Sequence, residues 1–247
     1  QAFRTELREW LKTNVPKELV GVSAESLARG NMTAAGKEWV KKLTEAGYMC
    51  VSWPKEYGGR GLTGIEVAVM NEEFSRADVP RITRGMGEWL VGPSIIVWGT
   101  DEQKKEFLPR IIDGTHRYCQ GFSEPDAGSD LASLKTRGII DGDEVVITGQ
   151  KVWTSGATEA NMMFCLCRTD PDTPKHQGIS YVLLPMFTPE KKSNGIELRP
   201  IQQPHGASHF TETFMTESRA PITNIIGGMN NGWRVTMTTL GNERGGN

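Results

Sequence analysis

Apolar residues recur with a helical period over the first half of the chain and with a strand period over most of the second. Phe3, Leu7, Trp10 and Leu11 fall at i, i+4, i+7 and i+8, one stripe along an amphipathic helix. Trp39, Val40 and Leu43 mark a second helix that stops near Gly47. Trp53-Pro54 and Tyr57-Gly58-Gly59 read as a loop. Thr63 with Glu66 is a capping-box pattern and opens a helix through Val67, Met70 and Phe74. Met86, Trp89, Leu90, Ile95 and Ile96 predict another helix, largely buried and ending at Gly99. Thr100 with Gln103 is a second capping box, followed by a helix through Phe107, Leu108 and Ile111.

Near residue 116 the period changes to 2. Strands are predicted at 118–122, 161–168, 178–184, 196–200 and 211–215. Residues 138–140 and 145–147 flank Asp141-Gly142, a hairpin signal. The stretches 170–176 and 189–194 are surface loops, and Gly227-Gly228 ends the β region. From Gly232 the positions Trp233, Val235, Met237 and Leu240 are helical again. The reading is therefore an α+β chain. It has an N-terminal all-helical domain (1–115), a middle antiparallel β-barrel or sandwich domain (116–229) and the start of a C-terminal helical bundle (230–247).

Composition narrows the function classes. The 247 residues carry a net charge of −2, with 37% apolar and 23% charged positions. No basic excess points to nucleic acid or a membrane surface. No apolar run reaches membrane-spanning length, no signal-peptide pattern opens the chain, and a cytoplasmic location is expected. The first residue is Gln1 rather than Met, so a few preceding residues are expected. Cys50, Cys119, Cys165 and Cys167 form no C-x-x-C pair and read as reduced, buried thiols. His205 and His209 have the spacing of a zinc pair but no Cys or carboxylate neighbours, so no metal is expected.

Two segments carry the chemistry. Residues 122–130 read F-S-E-P-D-A-G-S-D and residues 151–156 read K-V-W-T-S-G. In this order and spacing they resemble the flavin- and thioester-binding signature of the acyl-CoA dehydrogenases. Further stretches fit the same family: Trp53-Pro54 with Tyr57-Gly58-Gly59, Gly99-Thr100 with Gln103-Lys104 and Leu108-Pro109, then Gly232-Trp233 and Glu243-Arg244. The resemblance covers essentially the whole chain. The family's C-terminal four-helix domain has no counterpart in these residues, and 202–212 lacks the commoner Gly-x-Arg-x-Ser pattern.

The resemblance implies FAD as cofactor, an acyl-CoA substrate, an electron-transfer flavoprotein as acceptor and a homo- or hetero-tetramer. It implies cofactor contacts from Gln120, Phe122, Ser123, Ser129, Trp153, Thr154 and Ser155, with Trp153 against the flavin ring and Ser155 donating to N5. Ser129 and Arg244 would meet the substrate, and Glu243 would be the catalytic base. Asp130 and Glu124 are expected to hold the loop rather than react. Gly85, Gly87 and Gly92 lie where relatives line the acyl pocket. They are compatible with room for a bulky acyl group walled by Trp89 and Leu90, or with a short, broken helix that has no bearing on substrate.

The chemistry itself asks for such a set. Desaturating a thioester removes an α proton and a β hydride. The hydride needs a cofactor, the proton a carboxylate, and the thioester oxygen nearby donors. An oxidase on the same fold, a non-catalytic subunit of a hetero-oligomer and a plain scaffold are the competing readings. The last fits poorly with two matched cofactor segments.

Overall fold

The computed structural model describes residues 1–28 and 32–245, which divide into two compact units, Gln1–Arg84 and Gly85–Asn247. The division at 84/85 falls inside the segment expected as the first helical domain.

The first unit contains α1 (Ala2–Asn14), α2 (Ala24–Ala28), α3 (Ala34–Glu45) and α4 (Gly64–Arg76). Its core takes the expected stripes: Leu7 and Leu11 from α1, Trp39 and Leu43 from α3, Met70 and Phe74 from α4. Trp10 lies 5.4 Å from Trp39 and 4.7 Å from Tyr48, ring centre to ring centre. The buried Trp39 indole donates to the Pro80 carbonyl at 2.9 Å, so no buried N–H is left over. Both halves of the Thr63/Glu66 capping box form.

Glu73 faces inward on α4 and is nearly enclosed. Arg8 grips it with two bonds of 2.8 Å and Arg4 adds a third of 2.5 Å, which ties α1 to α4.

The second unit opens with a helix in two pieces. Gly85 has φ +55°, Gly87–Val91 form a π-helical turn, and α5 spans Gly92–Trp98. A Cβ on Gly87 would lie 2.9 Å from the Ile111 side chain, on α6 (Asp101–Ile112). This glycine serves close helix packing. Leu90 is buried and Trp89 is half exposed. The helix is broken here, as one of the two readings expected. The Thr100/Gln103 box forms, and Gln103 also donates to the Thr223 and Ile225 carbonyls, at 2.7 and 2.9 Å.

Eight strands follow: β1 (Tyr118–Gly121), β2 (Arg137–Asp141), β3 (Glu144–Lys151), β4 (Met162–Arg168), β5 (Ile179–Pro185), β6 (Ile196–Ile201), β7 (Phe210–Pro221) and β8 (Ile225–Ile226). They make one open sheet in the order β6-β7-β3-β2-β4-β5-β8, with β1 beside β4. Two pairings, β1–β4 and β2–β4, are parallel, so the sheet is mixed rather than wholly antiparallel. Asp141 pairs with Glu144, which moves the hairpin turn to Gly142-Asp143, one residue later than expected.

β7 runs six residues past the expected strand end. Opposite Ile147 and Gly149 its register shifts, and its buried positions change from Thr211, Thr213 and Met215 to Ser218 and Ala220. Such a bulge breaks the period of 2, which is why the pattern seemed to stop there.

β4 and β5 are buried along almost their whole length. On one face Cys119, Cys165, Cys167, Met163, Met186 and Met215 pack with Val145, Ile147 and Val182. The four cysteines are buried thiols outside any disulfide, and burial pushes those of Cys119 and Cys167 up. The last helix, α7 (Gly232–Gly245), begins against β5. A Cβ at Gly232 would come within 2.5 Å of the Ser180–Tyr181 backbone, so only glycine permits that approach. Among the described residues no helix is long and apolar enough to cross a membrane.

Hydrogen bonds from Arg8, and then from Arg4, hold the Glu73 carboxyl at about 2 against an ordinary 4.5, although its burial opposes this. A depressed folded value means stability that is present above pH 4.5 and is lost as pH falls towards 2. Glu73→Gln is expected to lower the melting temperature at neutral pH and to flatten the loss between those limits. Melts recorded by circular dichroism across that window check it.

Candidate functional site

β1 ends at Gly121, and the chain leaves the sheet through Phe122 and Ser123. Glu124 and Ala127 then bond each other both ways, at 3.0 and 3.1 Å, and close a tight turn over Pro125-Asp126. A short 3-10 turn at Leu131–Ser133 returns the chain to β2.

The loop is held from behind. Glu124 accepts the Lys135 N–H at 2.7 Å and the Thr136 N–H at 2.9 Å. Lys151, at the end of β3, donates to Glu124 at 2.9 Å and to the Phe122 carbonyl at 3.0 Å. Arg168 on β4 donates to the Ala132 carbonyl at 2.7 Å and the Leu134 carbonyl at 3.3 Å. Asp130 accepts from Ser133 and from Lys175; these bonds, that from Ser133 first, hold its carboxyl below the usual range.

The opposite wall is α7. Gly232, Val235, Thr236 and Thr239 are its buried face. Thr239 bonds the Ser94 hydroxyl of α5 at 2.7 Å and donates to the Tyr181 hydroxyl of β5 at 3.3 Å. Trp98 donates to the Thr238 hydroxyl at 2.8 Å. With that face fixed, Trp233, Met237, Leu240 and Arg244 fall at i, i+4, i+7 and i+11 on the other side.

Between loop and helix lies a cleft of about 390 Å³, lined by Gln120, Phe122, Ser123 and Ser129 on one side and Trp233, Leu240, Glu243 and Arg244 on the other. Six of the residues expected at the site therefore meet in one place, although more than a hundred positions separate the two groups. Glu243 and Arg244 are exposed at its edge and form no ion pair with the described residues. Phe122 forms the apolar floor, edge-on to Phe164 at 5.5 Å and to Tyr181 at 6.0 Å.

Trp153, Thr154 and Ser155 do not line this cleft. Their segment is nonetheless the loop's neighbour, because the Val152 N–H donates to the Ser123 carbonyl at 2.9 Å. Trp153 is 59% exposed, with φ +60° and its ring edge-on to Phe210. Ser155 is half-buried and makes no side-chain hydrogen bond among the described residues. Thr154, expected beside a cofactor, is fully enclosed; its N–H is taken by the Thr211 carbonyl, and its hydroxyl is buried without a hydrogen-bond partner among the described residues.

Lys151, the loop residues Gly128 and Leu131, and the cleft-facing Trp233, Met237 and Leu240 had no role legible from their spacing or motif alone. The helical spacing of the last three was the available signal. A larger groove of about 1040 Å³ lies elsewhere on the same unit, among Arg110, Arg117, Phe187 and Arg219. It collects none of the expected residues, so the smaller cleft is the candidate site.

Comparisons with known proteins identify the family. The acyl-CoA dehydrogenase N-terminal domain family matches residues 1–115, and the acyl-CoA dehydrogenase middle domain family matches residues 119–217. Acyl-CoA dehydrogenase IpdE1 of Mycobacterium tuberculosis is 42% identical over 248 residues, covering 99% of this chain and 63% of its own length. A variant of the Tcur3481–Tcur3483 steroid ACAD superposes with a TM-score of 0.78 at 38% identity, over 98% of this chain and 61% of that one. The ChsE4-ChsE5 complex from Mycobacterium tuberculosis gives 0.76 at 33% identity, over 98% and 59%. The chain thus spans about three fifths of the relatives it matches.

Phe122→Ala removes the ring that floors the cleft and packs on Phe164 and Tyr181. It is expected to cost about 3 kcal/mol of stability, as large-to-small changes at buried aromatics do. Urea titration of the variant against the parent measures this.

Proposed function

The chain belongs to the acyl-CoA dehydrogenase family, and on that premise we propose that it forms the flavin- and thioester-binding part of an FAD-dependent enzyme. The reaction would convert an acyl-CoA to its trans-2-enoyl-CoA. The observation that carries the reading is the cleft that brings Phe122, Ser123 and Ser129 together with Glu243 and Arg244.

The residues suit a flat, partly polar ring system. Phe122, Trp233 and Leu240 supply apolar surface, and Gln120, Ser123 and Ser129 supply hydrogen-bonding groups at its border. Trp153 and Ser155 stand beside the same loop, reached through the Val152–Ser123 hydrogen bond. When bound there, FAD would supply the acceptor for the β hydride.

The chain's own residues would do the rest. Ser129 would donate to the thioester arm, and Arg244 would attract the anionic part of the substrate. Glu243 would take the α proton. A carboxylate working as a base near neutral pH needs its pKa raised by burial. Glu243 is exposed on its own, so bound flavin and thioester would have to enclose it. We further propose an electron-transfer flavoprotein as electron acceptor, a cytoplasmic location and a tetramer. A hetero-oligomer is favoured because two of the solved relatives are named as pairs. The steroid named for one of them makes a bulky polycyclic acyl group the substrate class to try first.

Full-length protein is expected to show bound-flavin absorbance in the visible, bleached by an acyl-CoA of that class. A colourless protein would remove the flavin reading. Glu243→Gln keeps shape and hydrogen bonding but removes basicity. It should retain flavin while bleaching slows about 10³-fold, the usual contribution of a positioned base. Near-normal turnover would place the base elsewhere. Ser155→Ala should slow flavin reduction about tenfold, the worth of one lost hydrogen bond in a site closed by ligand. Unchanged stopped-flow traces would take Ser155 out of the site.

A further inference from the structure

Lys151 is 0% exposed, and a lysine is almost never fully buried unless it is paired. It donates to the Glu124 carboxylate at 2.9 Å and to the Phe122 carbonyl at 3.0 Å. Glu124 is 8% exposed and also accepts the Lys135 and Thr136 N–H groups. Burial opposes its charge, but the Lys151 cation and those donors outweigh this and leave its pKa lowered. Glu124 therefore keeps its charge inside the protein, facing Lys151 at 2.9 Å.

The Phe122 carbonyl belongs to the peptide whose N–H is that of Ser123. No cis peptide occurs among the described residues, so this N–H points away from the carbonyl and hence away from Lys151. It has no protein acceptor among the described residues, and Ser123 lines the cleft. A cation on the oxygen of an amide draws electron density from its N–H and makes it the stronger donor, the cooperative effect of a hydrogen-bond chain. The arrangement is a charge behind the wall, relayed through one peptide to the cleft side.

We propose that Lys151, held by Glu124, is a positioning residue that polarises the Phe122–Ser123 peptide towards the electronegative edge of a bound flavin. The inference rests on the flavin reading given above. It goes further in assigning Lys151 a part in setting the cofactor's electronics without touching it. A two-electron-reduced flavin carries more negative charge than the oxidised form. A polarised donor therefore favours the reduced form, and Lys151 raises the reduction potential. A merely structural clamp would hold both forms equally.

The test uses full-length flavin-loaded protein. The paired variant K151M/E124Q removes both charges together, so that neither is left alone in the interior. It is expected to keep its flavin while its preference for reduced over oxidised flavin falls about tenfold, a shift of roughly −30 mV in the two-electron potential. Arg168→Met loosens the same loop at Ala132 and Leu134 without touching the Phe122 peptide. It should weaken flavin binding and leave the potential in place. A paired variant with the parent's potential overturns the inference, as does an equal shift in Arg168→Met. Should the paired variant fail to fold, E124Q alone decides: it changes the charge facing Lys151 by a near-isosteric substitution. A moved potential in E124Q supports the role, and an unmoved one overturns it. A parent protein without flavin refutes the functional reading instead, and the two failures are told apart by the parent's visible spectrum.

Discussion

An ammonium group without water must direct its hydrogens at the protein, and Lys151 directs them at one short loop. Its bonds to the Phe122 carbonyl and Glu124, with the bonds of Glu124 to Lys135 and Thr136, close both ends of the segment 122–136 on one buried point. Arg168 secures the middle from β4. A stretch whose Pro, Gly and Ser content suggests mobility is thereby tied at its start, turn and return. Removing either charge alone would leave its partner buried and unpaired, a loss of about 3–5 kcal/mol. The pair is thus better understood as a specification of the loop's course than as a source of net stability.

The second wall is fixed by a different device. α7 presents threonines rather than leucines to the sheet, and their hydroxyls are satisfied by bonding back along the helix and across to its neighbours. Thr236 donates to the Gly232 carbonyl at 2.7 Å, while Thr239 reaches Ser94 and Tyr181. Small side chains and Gly232 let the helix settle close to β5. Tyr181 serves both walls, because its ring stacks on Phe164 and meets Phe122 edge-on while its hydroxyl takes the Thr239 bond. Loop and helix are therefore both referenced to one residue of β5, and the cleft between them inherits the rigidity of a buried strand.

Much of this was legible in the residues. The stripes of α1, α3 and α4 and the two capping boxes followed from spacing alone, because local hydrogen bonds and one apolar face decide them. Where long-range packing decides, the pattern was silent or misleading. The continuation of β7 was hidden by a bulge at Thr216-Glu217 that inverts the alternation. The glycines left room and a broken helix both open, and what decides Gly87 is its contact with Ile111 from another helix. Phe122, Ser123 and Ser129 were found by motif. That Glu243 and Arg244 share their cleft depends on how α7 crosses β5, which no spacing encodes. Lys151 was visible only as part of a motif, since burial of a lysine is not written in its neighbours.

Trp153 shows how the remaining segment is built for something beyond its own stability. A tryptophan at φ +60° occupies a region that bulky side chains avoid, at a cost of about 1–3 kcal/mol. Two backbone bonds enforce it, Thr154 N–H to the Thr211 carbonyl at 3.0 Å and Gly156 N–H to the His209 carbonyl at 3.3 Å, which lace the turn onto the start of β7. The strain does not serve to bury the indole, which stays 59% exposed with only the edge of Phe210 against it. It does turn the neighbouring Thr154 inward. The side chain that could be a plain core group is enclosed, and the large aromatic is held outside, next to the loop that carries Ser123. Strained backbone that exposes an aromatic beside a cleft is the arrangement expected where a planar ligand completes the packing, and it supports the flavin assignment independently of the residues that line the cleft.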